Sequence, residues 1–306
     1  MNVPVWVWLA TGCGLAVPVA IDVWRARRPH PVGFREAVTW SVVYVGLALL
    51  FAVGVLVFGG TTPAVEFITG FVVEKTLSVD NLFVFALVLG AFAVPARDQS
   101  RVLLIGILGA LAMRVVFIVA GAAALQRFSV LFLGFGALLL YTAVRLLRSH
   151  GTPPDVRNGR VVRWASRRFA ITGLGLAMLA ILSVDVVFAL DSIPAIFGIT
   201  QNLYLVLCTN AFALLGLRAL YFVLAGLLDR LAHLHYGLSI VLGLIGVKLV
   251  LHYLHGLVPG VPEIPTWLSL VLILAVFAIT TVTSLRAGPV ASPATREPTP
   301  AGTLPR

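Results

Sequence analysis

The sequence predicts an all-helical polytopic membrane protein: about nine transmembrane helices, with an inverted repeat of two three-helix units. Three observations carry this prediction. First, 60% of the 306 residues are hydrophobic and only 11% are charged, and the mean hydropathy is +1.04. Soluble domains are about 45–50% apolar and about 25% charged. With 22 Lys and Arg and 12 Asp and Glu, a soluble fold could not cover its surface, so the solvent is lipid. Second, the chain divides into nine apolar runs, each near the roughly 20 residues that cross the hydrocarbon as a helix. Third, the basic residues cluster between alternate runs, as membrane orientation requires.

Taken in order, span 1 covers 4–24. It contains no basic residue and is followed by Arg25, Arg27 and Arg28, the wrong charge order for a cleaved signal peptide. It is therefore expected to remain in the mature protein. Span 2 is 38–58, and span 3, 66–91, is interrupted by Glu66, Glu74, Lys75 and Asp80. Spans 4 and 5 are 102–122, with Arg114, and 129–147. Span 6 is 169–190 and carries Asp185, with Asp191 and Pro194 at its end. Span 7, 203–226, holds Asn210 and Arg218, and span 8, 236–255, holds Lys248. Span 9 is 267–286. Trp6, Trp8, Trp24, Trp40 and Trp267 fall near span ends, as interfacial anchors do. The remainder, 287–306, is rich in Pro, Ala, Thr and Gly and reads as a disordered cytoplasmic tail. Cys13 and Cys208 lie in distant apolar runs, with no disulfide or zinc spacing, and read as small buried apolar residues.

Seventeen of the 22 basic residues fall on one side, in loops 25–37, 92–101 and 145–168, at Arg230 and in the tail. The opposite loops carry only Arg127. The expected orientation is amino terminus outside and carboxyl terminus in the cytoplasm of a cell that places the protein in its inner, or plasma, membrane. The same placement makes lipid, not nucleic acid, the partner of the basic surplus.

Four cations remain within spans, Lys75, Arg114, Arg218 and Lys248, against the deep acids Glu74, Asp80, Asp185 and Asp191. Asp22 and Glu66 lie near span ends. A charge at the bilayer centre costs about 2.5–3.5 kcal/mol on insertion scales and marks a substrate path more often than a packing pair. The four cations read as charge partners, with Lys75 and Lys248 as tethered charges that replace an ion when its site empties. The histidines read as interfacial: His252 and His255 at the end of span 8, His233 and His235 in a loop.

Two acid-bearing segments resemble each other. Glu74-Lys-Thr-Leu-Ser-Val-Asp80-Asn81-Leu matches Asp185-Val-Val-Phe-Ala-Leu-Asp191-Ser192-Ile at an offset of 111. A second register, at 105, pairs Leu77-Ser-Val-Asp80 with Leu182-Ser-Val-Asp185 and roughly pairs Arg114 with Arg218. Three crossings separate the segments, so they run in opposite directions and make 66–147 and 169–255 candidate inverted repeats, the architecture that puts transporter sites near the midplane. Glu74, Ser78 and Asn81 share a helix face, as do Asp185, Ala189 and Ser192. Asp80 and Asp191 lie about 120° from their upstream acids, and Pro194 is expected to open the helix beside Asp191 and free the Leu190 carbonyl. Glu74, Asp80, Asn81, Asp185, Asp191, Ser192 and Asn210 are thus the candidate metal ligands. Their oxygen-only chemistry suits Mg²⁺, Ca²⁺ or Mn²⁺ over Cu or Zn. For Asn210 a helix–helix hydrogen bond is an equal alternative.

The segment Glu74-Lys-Thr-Leu-Ser-Val-Asp-Asn-Leu-Phe-Val-Phe85 resembles the signature of the TerC family of integral membrane proteins. So do Phe188-Ala-Leu-Asp-Ser-Ile-Pro-Ala-Ile-Phe197, Asn210-Ala-Phe-Ala-Leu-Leu-Gly-Leu-Arg-Ala-Leu-Tyr221 and the span ending Ile21-Asp22. The likeness covers roughly 15–256. It implies a divalent-metal transporter, chiefly exporting Mn²⁺ and associated with tellurite resistance. On matching positions it supports Glu74, Asp80, Asn81, Asp185, Asp191 and Asn210 as site residues. One departure is Leu182, where many members have Glu three residues before the Asp matching Asp185.

The expected function is therefore export of a hard divalent cation, most fittingly Mn²⁺, by alternating access of two inverted units. No enzyme activity and no prosthetic group are expected. Two other readings remain: a membrane scaffold for metal stress acting through 148–168, and an intramembrane aspartyl enzyme. The second lacks the Gly-x-Gly-Asp context at both Asp80 and Asp191.

Overall fold

In lipid every main-chain N–H and C=O must be satisfied within its own segment, so apolar runs become helices. The computed structural model describes residues 3–26, 32–148, 173–224, 234–258 and 260–287. Among them are ten helices and no strand: α1 Val5–Ala26, α2 Phe34–Gly59, α3 Thr61–Ala91, α4 Ala96–Arg127, α5 Val130–Arg148, α6 Gly173–Phe197, α7 Leu203–Leu214, α8 Leu217–Leu224, α9 Leu234–Leu257 and α10 Thr266–Ala287. The expected disordered tail beyond α10, the basic stretch 149–168 and His233 lie outside the described residues.

Seven helices, α1, α2, α4, α5, α6, α9 and α10, are long and apolar enough to cross a membrane, and the bent pair α7–α8 makes up to eight. The protein is thus an integral, multi-pass membrane protein. The remaining expected span, span 3, corresponds to α3, 31 residues long. Glu66, Glu74, Lys75 and Asp80 keep it out of the purely apolar set. Outward-facing side chains such as Leu50, Val57, Phe58 and Val116 are largely exposed, Phe58 by 90%, which only a lipid solvent tolerates. Cys208 is buried as expected, but Cys13 is exposed, because α1 buries only a small part of its surface.

Two breaks differ from the sequence reading. Span 7 was expected as one helix, but the chain bends by 42° between α7 and α8. Gly216 supplies the turn with φ +73°, a left-handed conformation that glycine alone adopts readily. A Cβ there would lie 2.8 Å from Tyr44 Cγ. Pro194, in contrast, does not end a helix. It lies inside α6, which continues to Phe197, and Gly198 N–H donates to the Pro194 carbonyl at 3.0 Å. Proline's fixed φ is compatible with helix, and so near a helix end only one hydrogen bond is lost.

Close approaches set the register. Gly106 faces Ile181, Gly109 faces Leu182 and Gly121 faces Phe197, so α4 and α6 run parallel. Gly136 meets Gly246 and Val250, while Gly243 meets Ala143, so α5 and α9 run antiparallel. Gly70 meets Thr209 and Lys75 reaches Ala213, so α3 and α7 run in the same direction. Helix α3 packs against α2, α6, α7 and α10, which makes it the central element. Three apolar clusters surround it. One joins α4, α5, α6 and α9 around Ile118, Leu139 and Ile245. A second gathers Phe85, Leu103 and Ile181, and the third Tyr44, Phe67 and Phe212.

Candidate functional site

The polar centre is built on α3. Glu74, Ser78 and Asn81 are all buried, at the i, i+4, i+7 spacing of one helix face. Opposite them α4 presents Arg114, whose side chain is wholly buried, as is that of Glu74. One Arg114 terminal nitrogen, Nη1, pairs with Glu74 Oε1 and donates to Asn210 Oδ1 of α7 at 3.2 Å. The other edge of the guanidinium forks onto Asp185 of α6: Nη2 to Oδ1 at 3.4 Å and Nε to Oδ2 at 3.5 Å. Four helices therefore converge on one planar group, whose rigid donor fork suits two carboxylates at once.

Acid groups outnumber the cation two to one in this cluster. In a low-dielectric interior an unmatched charge is costly and a partner is strongly attracted. The second Glu74 oxygen, Oε2, has no hydrogen-bond partner among the described residues, nor do the buried hydroxyls of Ser78, Ser192 and Thr209. The Asn210 amide donates to the Val206 carbonyl at 3.0 Å, which leaves its oxygen aimed at Arg114. A cavity of about 370 Å³ between α1, α4 and α7 reaches Arg114 and Asn210. It also reaches Asp22 near the end of α1.

The other three interior cations go elsewhere. Arg218, on α8, donates from Nη2 to Asp22 at 2.8 Å and from Nη1 to Ser100 at 2.6 Å. Beside this pair Arg25 contacts Glu36 and stacks 4.1 Å above the Trp40 ring, so α1, α2, α4 and α8 are joined at one end of the bundle. Lys75 donates to the carbonyls of Ala213 and Leu215, each at 3.0 Å. Lys248 donates to Thr266 at 3.1 Å. It lines a second cavity of about 430 Å³ with Glu66, His252 and Glu263. There Glu66 accepts from Thr200 at 2.6 Å, and His252 pairs with Glu263 at 2.8 Å.

Of the seven candidate ligands, Glu74, Asp185 and Asn210 are brought together on Arg114. Asn81 and Ser192 are buried. Asp191 accepts a hydrogen bond from Thr142 of α5 at 2.9 Å. The side chain of Asp80, on α3, lies outside the described residues. Among the described residues no group of three or more His, Cys, Asp or Glu side chains could hold a metal. Sequence reasoning missed the Asp22–Arg218–Ser100 group and the Thr142 contact. The signal for Asp22 was its place in the Ile21-Asp22 motif, whereas a single Thr in an apolar run carries none. Leu182 packs against Gly109, an apolar contact between α6 and α4.

A family model described as integral membrane protein TerC family matches residues 59–290. An uncharacterized membrane protein of Mycobacterium tuberculosis (strain H37Rv) is 41% identical over 311 residues, which covers 91% of this chain and 78% of its own. One of Myxococcus xanthus is 41% identical over 244 residues, 74% of this chain and 76% of its own. A protein of Escherichia coli (strain K12) whose name proposes a membrane-bound redox modulator, Alx, is 35% identical over 273 residues, 80% of this chain and 85% of its own. No solved structure matches the chain.

Proposed function

The chain belongs to the TerC family of integral membrane proteins, and on that premise we propose that it exports a hard divalent cation, most fittingly Mn²⁺. The observation that carries this reading is the buried Glu74–Arg114–Asp185–Asn210 cluster, where acids outnumber the cation and four helices meet. Arg114 holds the two carboxylates in the absence of cargo. An entering cation takes the carboxylate oxygens and the Asn210 carbonyl oxygen, and the guanidinium withdraws. Oxygen donors of this kind suit Mn²⁺, Mg²⁺ or Ca²⁺ over thiolate-seeking metals. Mn²⁺ is also redox-active, which agrees with the redox role named for the Escherichia coli relative.

Alternating access then follows from two inverted units, 66–147 and 169–255. Support comes from helix direction. Helix α4 turns back from α3 after the short connection 92–95 and runs parallel to α6. The two acid-bearing helices α3 and α6 are therefore opposed, as inverted repeats require. Counting α3 and the bent α7–α8 pair as spans gives nine crossings among the described residues. The amino terminus then lies outside, with the basic loops and the carboxyl terminus in the cytoplasm. This role needs neither a resident cofactor nor an enzymatic step.

Flux measured in proteoliposomes across Mn²⁺, Ca²⁺, Mg²⁺ and Zn²⁺ tests the reading. Mn²⁺ flux by the wild type is expected, and Glu74→Gln and Asp185→Asn are each expected to abolish it while the protein still inserts. Wild-type flux retained by both variants would sink the proposal.

A further inference from the structure

The bend between α7 and α8 leaves main-chain carbonyls without their helical donors, at depth in the bundle. Leu215 caps α7 in an extended conformation, with φ −58° and ψ 132°, and Gly216 turns the chain with φ +73°. At the end of a helix the last carbonyls lose their i+4 partners, and they carry the negative end of the helix dipole. Here Ala213, in the last turn of α7, and Leu215, its capping residue, both direct their oxygens at one Lys75 Nζ. No carboxylate among the described residues pairs with that ammonium. Its hosts are neutral carbonyls arranged around a point charge.

We propose that the α7–α8 break is a monovalent-cation site, occupied in this structure by the protein's own Lys75 ammonium. A small monovalent cation or a primary ammonium takes its place when Lys75 leaves. Neutral carbonyls replace the hydration shell of a monovalent ion well, and the open ends of broken membrane helices provide such carbonyls. A divalent ion needs anionic oxygens to offset its dehydration, and the described contacts of the break contain none. This separates the break from the acid cluster, where Glu74 and Asp185 meet Arg114.

Two placements tie the sites together. Glu74 and Lys75 are neighbours on α3, about 100° apart around the helix, one facing Arg114 and the other the break. A movement of α3 that draws Glu74 from Arg114 also draws Lys75 from the carbonyls. The cavity of about 370 Å³ that reaches Arg114 and Asn210 also reaches Leu214 and Leu215 at the break. Use of this site to couple a monovalent cation to export rests on the transport reading. Binding at the break does not.

The test is thermal melting of the purified full-length protein at constant ionic strength in choline, sodium, potassium and ethylammonium chlorides. Lys75→Ala is expected to melt below the wild type in choline. It should regain several degrees, saturably, in at least one of the other three salts, while the wild type responds alike to all four. A Lys75→Ala protein that melts identically in every salt overturns the proposal and leaves Lys75 as a helix cap alone. Should Lys75→Ala not accumulate, Lys75→Met keeps the apolar stem and removes the charge. Recovery of folded Lys75→Met only when one of the three cations is present supports the site. An equal response to all four salts, or failure to fold in all of them, overturns it. Mn²⁺ takes no part in the readout, so loss of the export reading through Glu74 and Asp185 leaves this result untouched.

Discussion

Arg114 is the bulkiest of the fully buried side chains described in the molecule, and its position decides how the charged interior is organised. A guanidinium cannot shed its proton, so its burial is tolerated only because Glu74, Asp185 and Asn210 occupy its donors. Removing one partner of such a group leaves an uncompensated buried charge, at a cost of about 3–5 kcal/mol. Arg114→Met is therefore expected to lower the melting temperature of the purified protein sharply, since Glu74 and Asp185 then face each other unmatched. Adding Glu74→Gln to Arg114→Met should restore part of the loss, because one acid is neutralised. Melting curves of the single and double variants check this, and a double variant less stable than Arg114→Met would contradict it. At this scale the sequence was legible in kind but not in pairing. It identified Arg114 as a carboxylate partner, yet Arg218 had the same signature and goes instead to Asp22 and Ser100.

Between helices, small residues govern how closely the backbones approach. Gly136 of α5 lies where an added Cβ would be 2.9 Å from the Gly246 carbonyl oxygen and 3.2 Å from the Val250 nitrogen of α9. Both atoms are backbone, which cannot yield as a flexible side chain does. Membrane helices associate through this close packing, because lipid removes the hydrophobic drive between them. Gly136→Ala is expected to cost about 1–3 kcal/mol by overpacking. Gly134→Ala, two residues away with nothing within 4 Å, serves as the control. A matched drop in melting temperature for both variants would show that the α5–α9 contact is not its cause, since the higher helix propensity of Ala by itself raises stability. The elements themselves were readable, because a long apolar run in lipid has little alternative to helix. The bend after α7 was not, since the sequence Leu215-Gly216-Leu217 resembles many continuous membrane helices. Only the approach of Tyr44 and the reach of Lys75 from other helices reveal why the chain turns there. Pro194 was the more conspicuous breaker, yet α6 accommodates it.

For the whole molecule, the basic residues make a directional prediction. Seventeen of 22 lie in the loops and tail assigned to the cytoplasmic side, where positively charged loops are retained. A fluorescent or enzymatic reporter fused after Arg306 is expected to report a cytoplasmic carboxyl terminus in cells. A single cysteine introduced at Gly260, in an otherwise cysteine-free background, is expected to react with an impermeant thiol reagent from outside. A carboxyl terminus found outside would invert the proposed direction of access without touching the packing.

The sequence by itself determined that this is an all-helical membrane protein of the TerC family and which few polar residues stand out against the apolar background. Those properties follow from composition and local order: apolar length sets crossing helices, and the rarity of charge makes each buried acid conspicuous. Tertiary structure alone decided which charges meet. Glu74, Arg114, Asp185 and Asn210 come from four helices, Asp191 turns to Thr142, and Lys75 finds two carbonyls far along the chain. Helical periodicity fixes the face a side chain occupies, but its partner depends on the rotation and register of neighbouring helices. Those are set by close contacts such as Gly106 on Ile181 and Gly136 on Gly246, and such contacts leave no periodic trace in the sequence.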